Sequence, residues 1–507
     1  MMFSIALEEG RREAGQHPIH APVLIHSITH RDNRSIWELQ FDVSQVDFSL
    51  EGLPAMPMAG DVLGVFPKNK PEEIAVLRRG LVGLDIDEVF LKGRYETDPG
   101  QFFTVEEALE LVSLNPAKIE LLQVIEQRLK ACRIVPAKWL SGCKMLLLAL
   151  GKLRKSEQSS RDWLKHIHVA DLIEAFPGLL TLQEICEIQG AIYRRVYTLS
   201  GIDRNADGDP ISLRILLATG VSYKTPEDSF GRGRTREGTS SAYLQYILEE
   251  KKDSACVEVF VQRRKFGSPE KDRHCLPQLN FEPKPKFLSK LRMPLLMIAA
   301  GSGISGIRAI LEEREAWKRK GYKVGSATLV FGLQCRHKDY LYEEDVDRYV
   351  KGGLIDRVLL AESRPLTGRK RYVQHLMMEG NLKKELREVK LSRRSLVLCG
   401  DWKMGQGVLQ GCLPFIFAAY SGAFSPNYLF DLPQSALEDL FLDGQKQVLE
   451  LKTQGIIRVS ASGSRYKKTE LTCKDALEGL RRIGLRSWDN HEDTDKVKVP
   501  TSPKGFS

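Results

Sequence analysis

A glycine-rich turn at residues 301–306 is the part of the sequence whose residue types most directly suggest chemistry. The run reads GSGISG and matches the GxGxxG pattern of dinucleotide-binding turns. It follows the apolar segment MPLLMI and precedes a helical pattern, so its backbone N–H groups would lie at a helix N-terminus, where anions bind. An ordinary NAD site also needs an acidic residue about 20 positions further on. The residues after the next strand, LQCRHK (333–338), contain no acid, so a turn without a ligand and a different phosphate site both remain open.

The elements that must position this turn alternate between strand and helix patterns. After Pro294, apolar strand-like runs such as SATLVFG and SLVLCGD are separated by amphipathic helical segments, which predicts a parallel α/β domain over 291–425. Upstream, alternating runs such as APVLIHSITH and SIWELQFDVS predict an antiparallel β domain over 17–70 and 190–290. The intervening residues 71–189 space their apolar side chains three and four apart and predict an inserted helical domain.

Composition sets the class of protein. A chain of 507 residues is too long for one core, and 42% hydrophobic with 28% charged residues is typical of a soluble globular protein. The net charge of +9 fits a mixed solvated surface, or a basic face for phosphates or an acidic partner. We expect 426–486 to be a C-terminal extension and the polar residues 487–507 to be disordered.

The cysteines and the chain's N-terminal residues bear on its compartment. Nine cysteines are scattered without a CxxC pair, which favours a reducing compartment and argues against a disulfide framework or a metal site. The N-terminal run MMFSIALEEGRREAGQ is charged within eight residues and lacks a signal-peptide core. The longest apolar stretch, CKMLLLALGKL, is shorter than the ~20 residues of a membrane span. We therefore expect a cytoplasmic protein without a membrane span or a nucleic-acid partner.

Several motifs, in order, resemble those of one family. RRVYTLSG resembles the Arg-x-Tyr-Ser signature of ferredoxin-reductase-type flavoproteins, and REGTSSAYL resembles their flavin pyrophosphate loop. AGDVLGVFPKN, DYLYEEDV, ESRP with RKRYVQHLM, and LVLCGDWKM are similar to segments of the diflavin reductases, and the helical insertion before RRVYTLSG is particular to them. The resemblance covers roughly residues 17–425. It implies a ferredoxin-reductase-like FAD-binding antiparallel β barrel with an inserted helical connecting domain, followed by a parallel-sheet NADP-binding α/β domain.

The resemblance implies FAD-binding residues on a strand and on the loop that follows it. Arg195 would offer its guanidinium to the pyrophosphate, Tyr197 an aromatic face to the isoalloxazine, and Thr198 a hydroxyl near flavin N5. The alternatives are a barrel-core aromatic at Tyr197 and an ordinary turn tyrosine at Tyr223, where the family stacks a ring on adenine. The implied FAD-binding set is Arg195, Tyr197, Thr198, Tyr223, Gly238, Thr239, Ser240 and Ser241.

The same resemblance implies a set of NADP-binding residues. Two cations and two hydroxyls within 363–372 suit the dianionic 2′-phosphate, with a solvated basic loop as the alternative. The implied NADP-binding set is Gly301, Ser302, Gly303, Ser363, Arg364, Lys370, Tyr372 and Gln374.

Three residues are implied as catalytic. Cys399 matches the thiol that the family places beside the nicotinamide, and Asp401 follows it in the same turn. Thr198 completes the set on the flavin side. The alternative for Cys399 is a small buried hydrophobic residue.

The implied activity is that of an NADPH-dependent FAD oxidoreductase. Hydride would pass from NADPH to FAD, and electrons would then pass to a separate acceptor. No flavodoxin-like phosphate loop precedes His17, so we expect the acceptor in trans: an FMN, haem or iron–sulfur protein, or a small oxidant.

Departures from the family pattern favour an alternative function. Ala299 and Ala300 stand where the family has glycine and proline, and the family's arginine after the next strand is displaced, with Gln334 or Arg336 as candidates. The run LELKTQGIIRVSASGSRY aligns with the family's ending but lacks its Asp and Trp. Tyr466 and Trp488 are the candidates to shield the flavin. The alternative is a catalytically weakened FAD- and NADP-binding module that acts as a scaffold or redox sensor.

Overall fold

A computed structural model describes residues 19–31, 34–46, 48, 57–93, 100–155, 166–219, 222–225, 229–231, 233–251, 256–262, 285–421, 429, 432–462 and 471–485. They fall into two units that divide the chain between residues 263 and 264, with 58–60 belonging to the second unit.

The strands of the described residues are β1 (Ile19–Arg31), β2 (Arg34–Asp42), β3 (Val62–Val65), β4 (Glu88–Leu91), β5 (Gln101–Thr104), β6 (Arg195–Arg204), β7 (Pro210–Thr219), β8 (Ser222–Lys224), β9 (Thr235–Glu237), β10 (Cys256–Gln262), β11 (Leu295–Ala300), β12 (Ala327–Leu333), β13 (Arg357–Glu362), β14 (Ser395–Asp401) and β15 (Ile457–Ser462). The α-helices are α1 (Pro71–Gly80), α2 (Val105–Leu111), α3 (Ile119–Ala131), α4 (Leu140–Lys155), α5 (Val169–Ala175), α6 (Leu182–Gln189), α7 (Thr239–Lys251), α8 (Pro285–Arg292), α9 (Ile304–Arg319), α10 (Arg336–Asp339), α11 (Glu343–Lys351), α12 (Val373–Met378), α13 (Lys383–Lys390), α14 (Trp402–Gln406), α15 (Leu413–Tyr420), α16 (Gln434–Thr453) and α17 (Cys473–Arg482). A π-helical turn, Gly407–Cys412, joins α14 to α15.

A closed barrel of six antiparallel strands forms one part of the first unit, in the order β1-β10-β3-β6-β7-β2. The period-two pattern of the sequence explains it, because alternate residues of β2 such as Leu39 and Phe41 turn inward and are fully buried. Helix α7 packs Leu244 and Leu248 into the same core. The predicted antiparallel barrel is confirmed.

The chain between β3 and β6 forms the helical part of the first unit. It contains α1–α6 and the β4–β5 hairpin, around a separate apolar core that includes Leu122, Ile173 and Phe176. Thr104 and Thr181 begin α2 and α6 with capping boxes, in which each threonine hydroxyl accepts from a backbone N–H and a glutamate reaches back to the threonine N–H. The helical period of the sequence thus produces a bundle with its own core.

Five parallel strands form the sheet of the second unit, in the order β13-β12-β11-β14-β15. The two central strands, β11 and β14, are almost entirely buried apolar runs, which is typical of a parallel sheet covered on both faces. The predicted parallel α/β fold is confirmed. The segment 426–486, set apart above as an extension, supplies α16, the edge strand β15 and α17 to this unit.

No helix in the part of the chain that the structure describes combines the length and apolar character needed to cross a membrane.

Candidate functional site

The first unit brings the predicted strand residues of β6 next to the start of α7. The hydroxyl groups of Tyr197 and Ser240 share a hydrogen bond of 2.9 Å. Ser240 is only 4% exposed, and Tyr197 is half-buried. Burial raises the pKa of the Tyr197 phenol, and the hydrogen bond to Ser240 and the charge of Arg195 offset that only in part. Tyr197 is therefore a neutral, fixed aromatic group at the junction of strand and helix.

The other predicted residues of the first unit lie around this junction. Arg195 is exposed at the beginning of β6, and Thr198 is half-buried opposite Val62 of β3. Tyr223 belongs to β8, but its side chain lies outside the described part of the structure. Arg195 and Thr198 therefore lie on the same end of β6 as Tyr197.

The start of α7 is built from small residues. Thr239 is the first residue of this 13-residue helix, and Gly238 precedes it. The carbonyl of Gly238 accepts from the Ser241 hydroxyl at 3.0 Å and from the Ala242 N–H at 2.9 Å. Gly238 is exposed and Thr239 is half-buried, whereas Ser240 is buried. A pyrophosphate fits the start of this helix, since helix N-termini attract anions.

A charged network fastens the loop before α7 to the helical insertion. The Asp171 carboxylate of α5 is fully buried and forms ion pairs with Arg236, and with Arg234 at 3.0 Å. Glu237, directly before Gly238, pairs with Lys70 at 2.8 Å. The inserted helices therefore fix the backbone immediately before the small-residue loop.

A second carboxylate extends this network towards α1. Glu73 lies 3.3 Å from the ring of His168. Burial alone would raise the pKa of Glu73, but the hydrogen bond and charge of His168, the N–H of Lys70 and the charge of Arg236 hold that pKa below its usual range. Glu73 is thus an anion that supports the same face of the insertion.

The glycine turn of the second unit is packed tightly against its neighbouring strand. Strand β11 ends at Ala300, residues Gly301–Gly303 form a single 3₁₀ turn, and α9 begins at Ile304. Gly301 has a φ of +53°, a conformation that favours glycine. A methyl group on Gly303 would overlap the carbonyl of Cys399 on β14. Only glycine at 303 lets the turn approach β14 this closely.

The methyl group of Ala299, which departs from the family pattern, does not reach the ligand side of the turn. Ala299 is fully buried within β11, between Phe331 of β12 and Cys399 of β14. Ala300 is the residue that lines the cavity beyond the turn. The substitution therefore changes the packing of the sheet rather than the surface offered to a ligand.

A cavity of about 570 Å³ opens at the carboxyl ends of the parallel strands, where α/β proteins bind nucleotides. It is lined by the glycine turn, the end of β12, the start of α12 and the turn after β14. Its lining residues are Ala300, Gly301, Ser302, Gly332, Leu333, Gln334, Asp339, Ala361, Ser363, Tyr372, Val373, Gln374, Asp401, Lys403, Met404 and Ile483.

The two cations predicted for the 2′-phosphate lie beside the cavity. Arg364 is exposed and donates to the side-chain carbonyl of Gln334 at 3.4 Å. The Lys370 ammonium lies 5.0 Å from the centre of the Tyr372 ring. Each cation therefore contacts a cavity-lining residue, Arg364 through Gln334 and Lys370 through Tyr372.

The predicted catalytic residues of the second unit differ in exposure. Cys399 is 4% exposed within β14, whereas Asp401 is exposed and lines the cavity. The Asp401 carboxylate accepts from the Met404 N–H at 2.8 Å and caps α14. Of the candidates for the displaced arginine, Gln334 lines the cavity, whereas Arg336 lies 3.8 Å from Glu343. Tyr466 and Trp488 lie outside the described residues.

The cavity-lining residues that the sequence analysis did not assign to the site include two charged side chains, Asp339 and Lys403, and the apolar Ile483. Asp339 places its carboxylate at the end of β12, where it accepts from the N–H groups of Gln334 and Cys335 at 2.9 and 2.7 Å. The short helix α10 turns the chain back and brings this acid to a place where the linear sequence showed none. Lys403 and Ile483 line the cavity from the turn after β14 and from the end of α17. The segment CGDWKM was a signal for Lys403, but no motif pointed to Ile483.

Comparison with known proteins adds to this geometry. The family model of the oxidoreductase NAD-binding domain matches residues 297–410, which hold the glycine turn and most of the cavity. The chain is 24% identical over 368 residues to a Drosophila melanogaster NADPH–cytochrome P450 reductase, which covers 71% of this chain and 48% of that protein. It is 26% identical over 412 residues to a Mannheimia succiniciproducens sulfite reductase [NADPH] flavoprotein alpha-component, covering 80% of this chain and 57% of that one.

The chain is a relative of the diflavin reductases. An Aliivibrio fischeri sulfite reductase [NADPH] flavoprotein alpha-component gives a similar match, 27% identity over 371 residues, with 72% of this chain and 50% of that protein covered. The chain spans about half the length of the curated relatives it matches.

Proposed function

We propose that the chain is an NADPH-dependent flavoprotein oxidoreductase that binds FAD in its first unit and NADPH in its second. One observation carries the proposal: Gly301 and Ser302 of the glycine turn line one cavity together with Ser363 and Tyr372 of the 2′-phosphate set, and Gln374 of the NADP-binding set lines it too. The named relatives support it, because each is an NADPH-dependent reductase or its flavoprotein component.

The residues of the second unit suit NADPH. Gly301–Gly303 would offer backbone N–H groups to the pyrophosphate, and Arg364 and Lys370 would bind the 2′-phosphate beside Ser363 and Tyr372. Gln374 would add a polar contact within the same cavity. Cys399 and Asp401 would lie towards the nicotinamide, at the end of β14.

The residues of the first unit suit FAD. Tyr197 would pack its ring on the isoalloxazine, Arg195 would contact the pyrophosphate, and Thr198 would hold a hydroxyl near N5. Gly238, Thr239 and Ser241 would cradle the pyrophosphate at the start of α7, with Ser240 holding Tyr197 in place. Bound FAD supplies the redox chemistry, taking up hydride from NADPH and releasing electrons.

The electron acceptor is proposed to be a separate protein that contains FMN, haem or an iron–sulfur cluster, or a small oxidant. The relatives favour a protein acceptor, since their names refer to cytochrome P450 and to sulfite reductase. The net charge of +9 would favour an acidic partner surface.

A second function is favoured by the edge strand of the sheet. β15 pairs with β14 so that Ser460 lies opposite Cys399, and the six residues of β15 include no carboxylate. A catalytic acid beside the thiol is therefore not supplied by this strand. That observation favours a weakened flavin- and nucleotide-binding module that serves as a scaffold or sensor.

Anaerobic titration separates the two functions. Protein loaded with FAD is mixed with NADPH, and the long-wavelength absorption of the flavin is followed, after which ferricyanide and candidate one-electron carriers are added. The reductase proposal expects stoichiometric bleaching that these acceptors reverse. A flavin spectrum that NADPH leaves unchanged would rule out the reductase, and tight NADP⁺ binding in the same sample would establish the binding module.

A further inference from the structure

The end of helix α17 forms part of the nucleotide cavity, although it follows the last strand of the sheet. Ile483, directly after the helix, lines the cavity together with Tyr372 and Gln374. The carbonyl of Ile483 lies close enough to the ring of His375 to act on its pKa, which it raises. A residue far along the chain from the glycine turn is thereby held at the lip of the same cavity.

His375 lies between Tyr372 and the end of α17. Its Nδ1 accepts from the Tyr372 backbone N–H at 3.0 Å, which leaves the other ring nitrogen to carry the proton of the neutral imidazole. The rings of His375 and Tyr372 stack with their centres 5.8 Å apart and an angle of 25° between them. His375 is 1% exposed, so this arrangement is fixed within the fold. Tyr372 and Ile483 are therefore both neighbours of one buried imidazole.

Helix α17 is an integral part of the second unit. Leu477 and Leu480 are buried in its main apolar core. Thr472 and Asp475 form a capping box at the helix start, and the Leu471 N–H donates to the Gln410 side chain at 3.3 Å. Ile483 is therefore presented to the cavity by a well-anchored element.

We propose that Ile483 contacts the adenosine half of the bound dinucleotide and helps to set its affinity, with His375 as its positioning residue. The proposal rests on the proposed NADPH site, because Ser363, Arg364 and Lys370 place the 2′-phosphate, and hence the adenosine ribose, next to Tyr372. An aliphatic side chain beside an aromatic ring provides an apolar surface for the face of a purine base.

Calorimetry with two ligands tests the contact. Adenosine 2′,5′-bisphosphate carries only the adenosine half, whereas NADP⁺ carries the whole dinucleotide. Ile483→Ser is expected to weaken both ligands by about fivefold through the lost apolar contact, and Ile483→Val by less than about twofold. Leu449→Ser makes a similar change at an exposed leucine of α16 and should leave both affinities unchanged. Unchanged affinity in a folded Ile483→Ser protein would overturn the proposal.

Hydrogen exchange tests the contact first in the unmodified protein, and then in one variant that probes the role of His375. NADP⁺ is expected to slow amide exchange in residues 473–485 of the unmodified protein as well as at the glycine turn. In His375→Phe, protection at the turn should remain, while protection of 473–485 should fall. Protection of the turn alone in the unmodified protein would show that α17 does not contribute. If neither ligand bound the unmodified protein, the proposed NADPH site itself would be wrong.

Discussion

The loop before α7 and the turn before α9 each lead from a strand into a helix, but they are held in place by different forces. Side-chain charges fasten the first, through Asp171 with Arg236 and Lys70 with Glu237. Backbone packing fastens the second, where Gly303 lies directly against the Cys399 carbonyl. Because the two segments are held by different forces, a single substitution should weaken ligand binding at one of them and not at the other. A change of charge should release the flavin, and a change of volume should release the nucleotide.

The largest effect is expected from Asp171→Asn. This change leaves Arg236, which is mostly buried, without its carboxylate and removes one of the two carboxylates that pair with Arg234. Breaking a buried pair such as Asp171–Arg236 costs about 3–5 kcal/mol. We expect FAD to be lost on purification while the second unit still binds NADP⁺. Fluorescence measures the flavin content and the FAD affinity, and calorimetry measures the NADP⁺ affinity.

Glu174→Gln is the matched control for Asp171→Asn. Glu174 pairs with the same Arg234 but is 36% exposed, and ion pairs of that kind contribute about 0–1 kcal/mol. Its FAD content should therefore match that of the unmodified protein. Equal loss of flavin in both variants would show that the network acts through overall charge and not through the buried carboxylate.

The next largest effect is expected from Gly303→Ala, which should weaken nucleotide binding and leave FAD binding intact, the opposite of Asp171→Asn. The added methyl group overlaps the Cys399 carbonyl, and overpacking of this kind costs about 1–3 kcal/mol. NADP⁺ affinity should fall about tenfold or more, since each 1.4 kcal/mol is tenfold, while FAD is retained. Gly479→Ala adds the same methyl group on α17 in open space and should change neither affinity. Loss of FAD in Gly303→Ala would show that the flavin site and the nucleotide site are not held in place independently.

Features that local sequence patterns encode could be predicted, whereas contacts between residues distant in sequence could not. Period-two and strand–helix patterns are properties of neighbouring residues, so the barrel and the parallel sheet could be predicted. The glycine turn was located for the same reason, because GxGxxG is a local pattern. Asp339 and Ile483 reach the cavity only because α10 reverses the chain and α17 folds back on the sheet. The Asp171 network joins elements more than 60 residues apart in sequence, and no local pattern encodes that pairing.

Arg364→Ala tests the proposed 2′-phosphate contact in the second unit by comparing NADPH with NADH. The Arg364 guanidinium is the nearest candidate to bind the 2′-phosphate beside Ser363, and a charge-assisted hydrogen bond contributes about 1.5–3 kcal/mol. The KM for NADPH should rise by about tenfold or more, while that for NADH changes little. Steady-state reduction of ferricyanide with each nucleotide measures this. An equal rise for both nucleotides would remove the 2′-phosphate assignment.

A smaller effect is expected from Lys403→Gln. Lys403 is the one cationic side chain among the cavity-lining residues that the structure describes, and it lies on the wall formed by the turn after β14. An exposed ammonium that faces the pyrophosphate would contribute about 1 kcal/mol. NADP⁺ affinity should fall about fivefold. Adenosine 2′-monophosphate, which has no pyrophosphate, should bind as before, whereas equal weakening of both ligands would place Lys403 at the 2′-phosphate.

The smallest expected effect concerns pH and again separates the two units. Burial lowers the pKa of His375, the charges of Arg369 and Arg371 lower it further, and Glu379 and the Ile483 carbonyl oppose them. Between the folded pKa of His375 and the unfolded value of about 6.5, the unfolded chain binds a proton that the folded protein does not. The free energy of unfolding should therefore fall as the pH drops through that range. Urea unfolding of the second unit at several pH values, compared with His375→Asn, measures this. This pH-dependent part of the free energy of unfolding should be absent from His375→Asn. Apart from the Glu73–His168 contact, the ion pairs that fasten the loop before α7 join carboxylates to arginine and lysine. FAD retention should therefore change less over the same range than the stability of the second unit, and an equal loss of FAD would mean that the two sites are not independent.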